Sequence, residues 1–109
     1  MPTAYKVLGQ VIPSATTATT LYTVPSATST VVSSISVCNQ AGSDATFRIA
    51  VRPAGASLTA AQYIVYDASL SSNETIALTL GLTLAATDVV TVYASTANVS
   101  FSLFGSEIA

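Results

Sequence analysis

Histidine and tryptophan are absent from this 109-residue chain, cysteine occurs once, and three basic and five acidic side chains are its only charges. Without histidine there is no ordinary base to activate a serine or cysteine nucleophile. Zinc sites need clustered Cys or His, which this composition cannot supply. Cys38 has no partner for an internal disulfide, and in its apolar alternating run it reads as a small core hydrophobe. Arg48 and Arg52 are the only close basic pair, far too few cations to track a phosphate backbone, so nucleic acid is not an expected partner. No stretch approaches the roughly 18 consecutive apolar residues of a membrane span. The longest, Ile76 to Ala86, is interrupted by Thr79, Gly81 and Thr83, so no membrane partner is expected either. Met1-Pro2-Thr3-Ala4-Tyr5 carries no basic n-region, and no apolar h-region follows. Gly42, Gly55, Gly81 and Gly105 stand apart, so no glycine-rich phosphate loop is present.

A calcium site needs several converging carboxylates. Asp44, Asp67, Glu74 and Asp88 all fall near expected turns, where accepting backbone N–H groups is their expected work. No catalytic, cofactor-binding or metal-ligating residue is therefore assigned, no cofactor is expected, and the chain does not read as an enzyme. What remains is a surface question. Only 7% of the residues are charged, against about 25% in an ordinary soluble domain. Either Ser and Thr hydroxyls keep the surface wet, or neighbouring subunits cover much of it, since interface cores are depleted of charge.

What is present is two-residue alternation, the signature of strands with one face in a core. It is clearest in Ile76-Ala77-Leu78-Thr79-Leu80-Gly81-Leu82-Thr83-Leu84, where Gly81 marks a bend or bulge. Phe47-Arg48-Ile49-Ala50-Val51-Arg52 alternates with both arginines outward, and Asn98-Val99-Ser100-Phe101-Ser102-Leu103 does so again. Further β-branched runs span 5–12, 20–24, 30–39, 62–67 and 88–94. Helix signals reduce to one possible turn at 57–62. Turn residues at 39–44, 53–55, 71–74, 85–88 and 96–98 separate the runs. The expected fold is all-β: an antiparallel β-sandwich, jelly-roll-like, of about eight short strands. Its expected core is Ile35, Val37, Phe47, Ile49, Val51, Ile76, Leu78, Leu80, Leu82, Val90, Val92, Val99, Phe101 and Leu103.

Residues 1–19 form an N-terminal strand or arm with a Ser/Thr linker, and 20–109 form the sandwich domain. In the first strand Tyr5, Val7 and Val11 share one side, and Lys6, Leu8, Gln10 and Ile12 the other. Both sides are partly apolar, as in a strand covered on both faces. Such a strand is either the first of its own sheet or an arm added to a neighbour's edge. Tyr63 and Tyr66 flank Ile64-Val65, which on a regular strand places them on opposite faces. Core or interface packing is their expected role, and they are the only hint of a receptor- or glycan-binding surface.

Three stretches taken together carry a resemblance. They are Leu21-Tyr22-Thr23-Val24-Pro25; Val37-Cys38-Asn39 with Ala45-Thr46-Phe47-Arg48-Ile49-Ala50-Val51-Arg52-Pro53; and Leu84-Ala85-Ala86-Thr87-Asp88-Val89-Val90-Thr91-Val92-Tyr93 with Asn98-Val99-Ser100-Phe101 and Leu103-Phe104-Gly105. The set resembles small β-sandwich virion proteins of tailed bacteriophages, cyanophages among them, over roughly residues 20–108. These are packing and turn patterns without a catalytic signature. The resemblance implies a virion structural protein assembled in the host cytoplasm. Foremost is a capsid decoration (cement) protein that contacts the major capsid protein. A tail, neck, baseplate or fibre-attachment component is the alternative. It also implies a homo-oligomer, a trimer above all, because decoration proteins often sit on local threefold positions.

Overall fold

The computed structural model describes residues 2–109; Met1, the first residue of the expected N-terminal strand or arm, lies outside the described residues. Nine strands follow one another: β1 Thr3–Val11, β2 Thr19–Thr23, β3 Ser29–Asn39, β4 Ala45–Arg52, β5 Tyr63–Leu70, β6 Thr75–Leu78, β7 Thr83–Leu84, β8 Val89–Ala94 and β9 Val99–Ile108. Among the described residues there is no α-helix, only short 3₁₀ turns at Pro53–Gly55 and Ala60–Gln62. The second falls where the sequence allowed one turn, and Thr59 and Gln62 close it as a capping box.

The topology is that of a hairpin ribbon folded on itself. β4 pairs with β5, β3 with β6 and β7, β2 with β8, and β1 with β9, all antiparallel. The ribbon then wraps, so that β9 also pairs with β3 and β8 with β4. A first sheet (β1-β9-β3, then β6 and β7 along one side of β3) thus faces a second sheet in the order β2-β8-β4-β5. Counting β6 and β7 as one interrupted strand gives eight strands in two sheets, a jelly roll.

The core lies between the sheets. Phe47 of β4 and Phe101 of β9 meet edge to face across it, with centroids 6.1 Å apart. Ile35, Val37, Ile49, Val90, Val92, Val99 and Leu103 are buried around them as the alternation requires. Leu21, Tyr22, Val24, Val32, Leu70 and Leu84 join them. Four expected core residues are only partly buried: Ile76, Leu78 and Leu82 because β6 and β7 form a sheet edge, and Val51 near the end of β4 in the second sheet.

Leu80 is a correction: it is exposed, not core. The run 76–84 is not one continuous strand. It breaks after Leu78, swings out through Gly81 at φ +63°, and rejoins β3 at Thr83. That conformation costs a glycine nothing.

Residues 3–11 are the edge strand of their own chain's sheet, one of the two placements the sequence left open. The segment after them crosses from one sheet to the other and is held there by the Thr16 N–H donating to the Ala94 carbonyl at 2.8 Å. The sides expected for β1 need correcting. The register passes from Val7 opposite Phe104 to Gly9 opposite Leu103, leaving Leu8 as an extra residue. This bulge reverses the faces. Val11 packs on the core, while Tyr5 and Val7 point away from it.

Candidate functional site

The two sheets turn very different outer faces to the surroundings. On the first sheet, register places the outward side chains in cross-strand rows: Thr3, Ile108 and Ser29; Tyr5, Ser106, Val31 and Thr83; Val7, Phe104 and Ser34; Gln10, Ser102, Ser36 and Ala77; Ser100, Cys38 and Thr75. None of these residues is charged. Hydroxyls and amides run along it, with Gln10 Nε2 donating to Ser102 Oγ and Gln40 Nε2 to Ser100 Oγ. Large apolar groups stand among them: Tyr5 is 85% exposed, Val7 48% and Val31 39%. Cys38 belongs to this outer face and is half-buried, so the expectation of a core cysteine is corrected: its neighbours Val37 and Asn39 take the inward positions.

The charges of the first sheet are turned the other way. Glu107 shares a row with Thr30, and Lys6 a row with Gly105 and Val32, all on the inner side. Lys6 Nζ sits 2.9 Å from Glu107 Oε1. The Tyr22 hydroxyl, reaching over from the second sheet, donates to Glu107 Oε2 at 2.5 Å and shares a 2.8 Å hydrogen bond with the Thr30 hydroxyl. Burial and the Glu107 bond push the Tyr22 hydroxyl up to about 12. The Tyr22 and Lys6 bonds hold the Glu107 carboxyl below its ordinary value. Charge is thereby kept to the inner side at the sheet margin, where Lys6 stays half exposed, and withheld from the outer face.

The outer face of the second sheet is the opposite. Arg48 of β4 lies flat between two rings, its Cζ 4.2 Å from the centroids of both Tyr66 on β5 and Tyr93 on β8. Its Nε and Nη2 donate to the two carboxylate oxygens of Asp67 at 2.7 and 3.3 Å. This bidentate pair keeps the guanidinium well above its ordinary value. Tyr63 meets Tyr66 edge to face at 5.0 Å.

The expectation that Tyr63 and Tyr66 face opposite ways is therefore overturned. β5 carries extra residues against β4, with register breaks on both sides of Ile49, and Asp67 adopts φ +50°. The bulges turn Tyr63, Tyr66 and Asp67 to the same side. Asp tolerates the left-handed conformation better than most residues, which is the only trace of this bulge in the sequence.

At one end of the face the connection 53–62 folds down, and Arg52 holds it by donating to the carbonyls of Ala56 and Gly55. At the other end an open groove is lined by Asp44, Thr46, Ser69, Ser71 and Ser95 together with Ala45 and Leu70.

The remaining carboxylates are spent on turns. Asp44 accepts from the Ser72 N–H, Glu74 from Ser71, and Asp88 from both Ala54 and Ala85. Asp67 departs from the turn-capping expectation by pairing with Arg48. Among the described residues no three His, Cys, Asp or Glu side chains group closely enough to hold a metal ion, and no helix is long and apolar enough to cross a membrane. No protein-family model matches the chain, and no curated protein matches it.

Proposed function

We propose that this chain is a structural subunit of a larger protein assembly, and specifically a tailed-phage virion protein of the capsid-decoration kind. The observation that carries the assembly reading is the uncharged outer face of the first sheet. A free domain keeps soluble by displaying mixed charge. Here the only two charges of β1, β3 and β9, Lys6 and Glu107, pair with each other on the inner side, while Tyr5, Val7, Val31 and the half-buried Phe104 stand outward among serines. A face of this composition is suited to burial against protein, where aromatic groups are enriched and charges depleted. β1 adds an open edge beside it, whose backbone groups can extend another sheet. The virion part of the reading is supported by the resemblance of the strand and turn patterns in residues 20–108 and by the jelly-roll wrap, an architecture used in viral capsid proteins.

Light scattering on the purified chain tests the first part. A homo-oligomer is expected, a trimer in the decoration-protein reading. Val31→Asp, which charges the middle of the face at an exposed position, should give a folded monomer. A wild-type chain that stays monomeric at high concentration contradicts the proposal. Copy number tests the second part: hundreds of copies per virion fit the shell, and a few to a few dozen fit a tail or neck component instead.

A further inference from the structure

The aromatic and polar cluster on the second sheet is not used by that reading. We propose that it binds neutral saccharide, with the ring of Tyr66 as the stacking platform and the adjoining groove as the hydroxyl-recognising part.

A sugar ring presents an apolar face of C–H groups and a rim of hydroxyls that both donate and accept. Its receptor needs an accessible aromatic face beside closely spaced donors and acceptors. Tyr66 supplies the first. It is 60% exposed although Arg48 stacks over one face and Tyr63 meets it in a T-shaped contact, so the ring keeps surface for a ligand. The negative face of such a ring attracts polarised C–H groups.

Arg48 and Asp67 supply the second beside it, a planar pair that presents donors and acceptors together. One register step along, Thr46 lies opposite Ser69, and the groove they line continues to Ser95. Ser95 Oγ accepts the Thr46 N–H at 2.9 Å and retains its own hydrogen to donate. These groups sit on strands braced by cation–π and aromatic contacts, so little ordering is needed on binding.

The charge of the ligand follows from the charge of the site. Asp67 already neutralises Arg48, and the nearest further charge on the groove is the carboxylate of Asp44. An anionic sugar would meet no unpaired cation there, so the ligand is a neutral saccharide rather than a sialylated or uronic one.

The test is a two-dimensional NMR titration of the whole chain with maltohexaose, cellohexaose and a neutral galacto-oligosaccharide, and with sialyllactose as the acidic comparison. Saturable shifts with at least one neutral probe are expected, centred on Tyr66, Ser69 and Ser95. Tyr66→Ala should weaken that binding about tenfold or more. Ser69→Arg, which fills the groove, should also abolish it. Both positions are exposed, so unchanged circular dichroism and melting temperature should accompany the loss. No saturable shift with any neutral probe, preference for sialyllactose, or binding that survives both substitutions overturns the assignment.

Discussion

The first sheet turns its ions inward and shows serine, valine, tyrosine and phenylalanine outside; the second shows an Arg–Asp pair and three tyrosines. Both rest on one core, and both strand sets alternate with the same two-residue period. The outward positions are therefore free of the core's demands, and each face has been filled differently. Lys6–Glu107 and Arg48–Asp67 make the point most sharply. Each is a cation–carboxylate pair within one sheet. The first lies on the side shared with Tyr22 of the opposite sheet, where it ties the two sheets together. The second lies outside, where it organises aromatic rings. The proposed covering of the first face and the proposed ligand recognition by the second both rest on this difference.

The largest expected effect removes the common foundation. Phe101 is fully buried, and Phe101→Asp places an unpaired carboxylate between the sheets, costing several kcal/mol of the roughly 5–15 that hold a domain folded. Far-ultraviolet circular dichroism should report an unfolded chain. Thr79→Asp, in the exposed loop between β6 and β7, should leave the signal intact. Equal tolerance at both positions would break the assignment of inner and outer faces.

Next comes the join between the sheets at their loop end. Asn39 of β3 is buried, and its Nδ2 reaches the carbonyls of Ser43, Leu70 and Ser71, while its Oδ1 accepts the Ala41 N–H. It thus ties the first sheet to the ends of β4 and β5 in the second. Asn39→Ala strands these groups, and chemical denaturation should show a loss of about 2–3 kcal/mol. An effect below 0.5 kcal/mol, the size ordinary at an unremarkable surface position, would remove this residue from the account.

A pH series sharpens the inward placement of the first sheet's charges. The Glu107 carboxyl is held low in the fold, so its contribution is present above its ordinary value of 4.5 and lost as pH falls through the folded value below that. Tyr22 is raised from 10.0 to about 12, so its contribution is complete below pH 10 and lost as pH rises toward 12. The melting temperature should be level between these limits and fall on either side. Tyr22→Phe should shrink both limbs, because it removes the buried hydroxyl that titrates at high pH and, with it, the bond that holds Glu107 low. Limbs unchanged in this variant would show that other groups cause them. The smallest effect concerns a turn. Thr87 is β-branched at φ +68°; its hydroxyl bonds only to the carbonyl of Ala86, and its N–H donates to the Val24 carbonyl, a bond glycine keeps, so Thr87→Gly should raise stability by about 0.5 kcal/mol, read as a small rise in melting temperature.

Much of this was legible beforehand because the core follows strict alternation wherever strands are regular. β3, β4, β8 and the first half of β9 lie where the pattern puts them, and Ile35, Phe47, Val92 and Phe101 are buried as expected. Legibility ends at irregularities. The bulge at Leu8 reversed the faces of β1, those in β5 gathered two tyrosines expected apart, and the excursion at Gly81 exposed Leu80. An extra residue inverts every assignment beyond it, and no composition rule announces it. β9 ran on past Leu103 to Ile108 because Gly105, which looks like a strand end, sits where a side chain would strike the Val31 carbonyl of β3. The uncharged face could not be read directly. Low charge was visible as a total, but its concentration on one face depends on β1, β9 and β3 lying side by side, and pairing across about a hundred residues leaves no local trace.

The two faces can be compared in one experiment, since each carries one strongly exposed tyrosine: Tyr5 on the first sheet and Tyr66 on the second. Hydroxyl-radical footprinting, read residue by residue by mass spectrometry, would measure both in the assembled protein and in the Val31→Asp variant. Burial of the uncharged face predicts that assembly protects Tyr5 several-fold while leaving the reactivity of Tyr66 unchanged. Protection of Tyr66 with Tyr5 still reactive would contradict it.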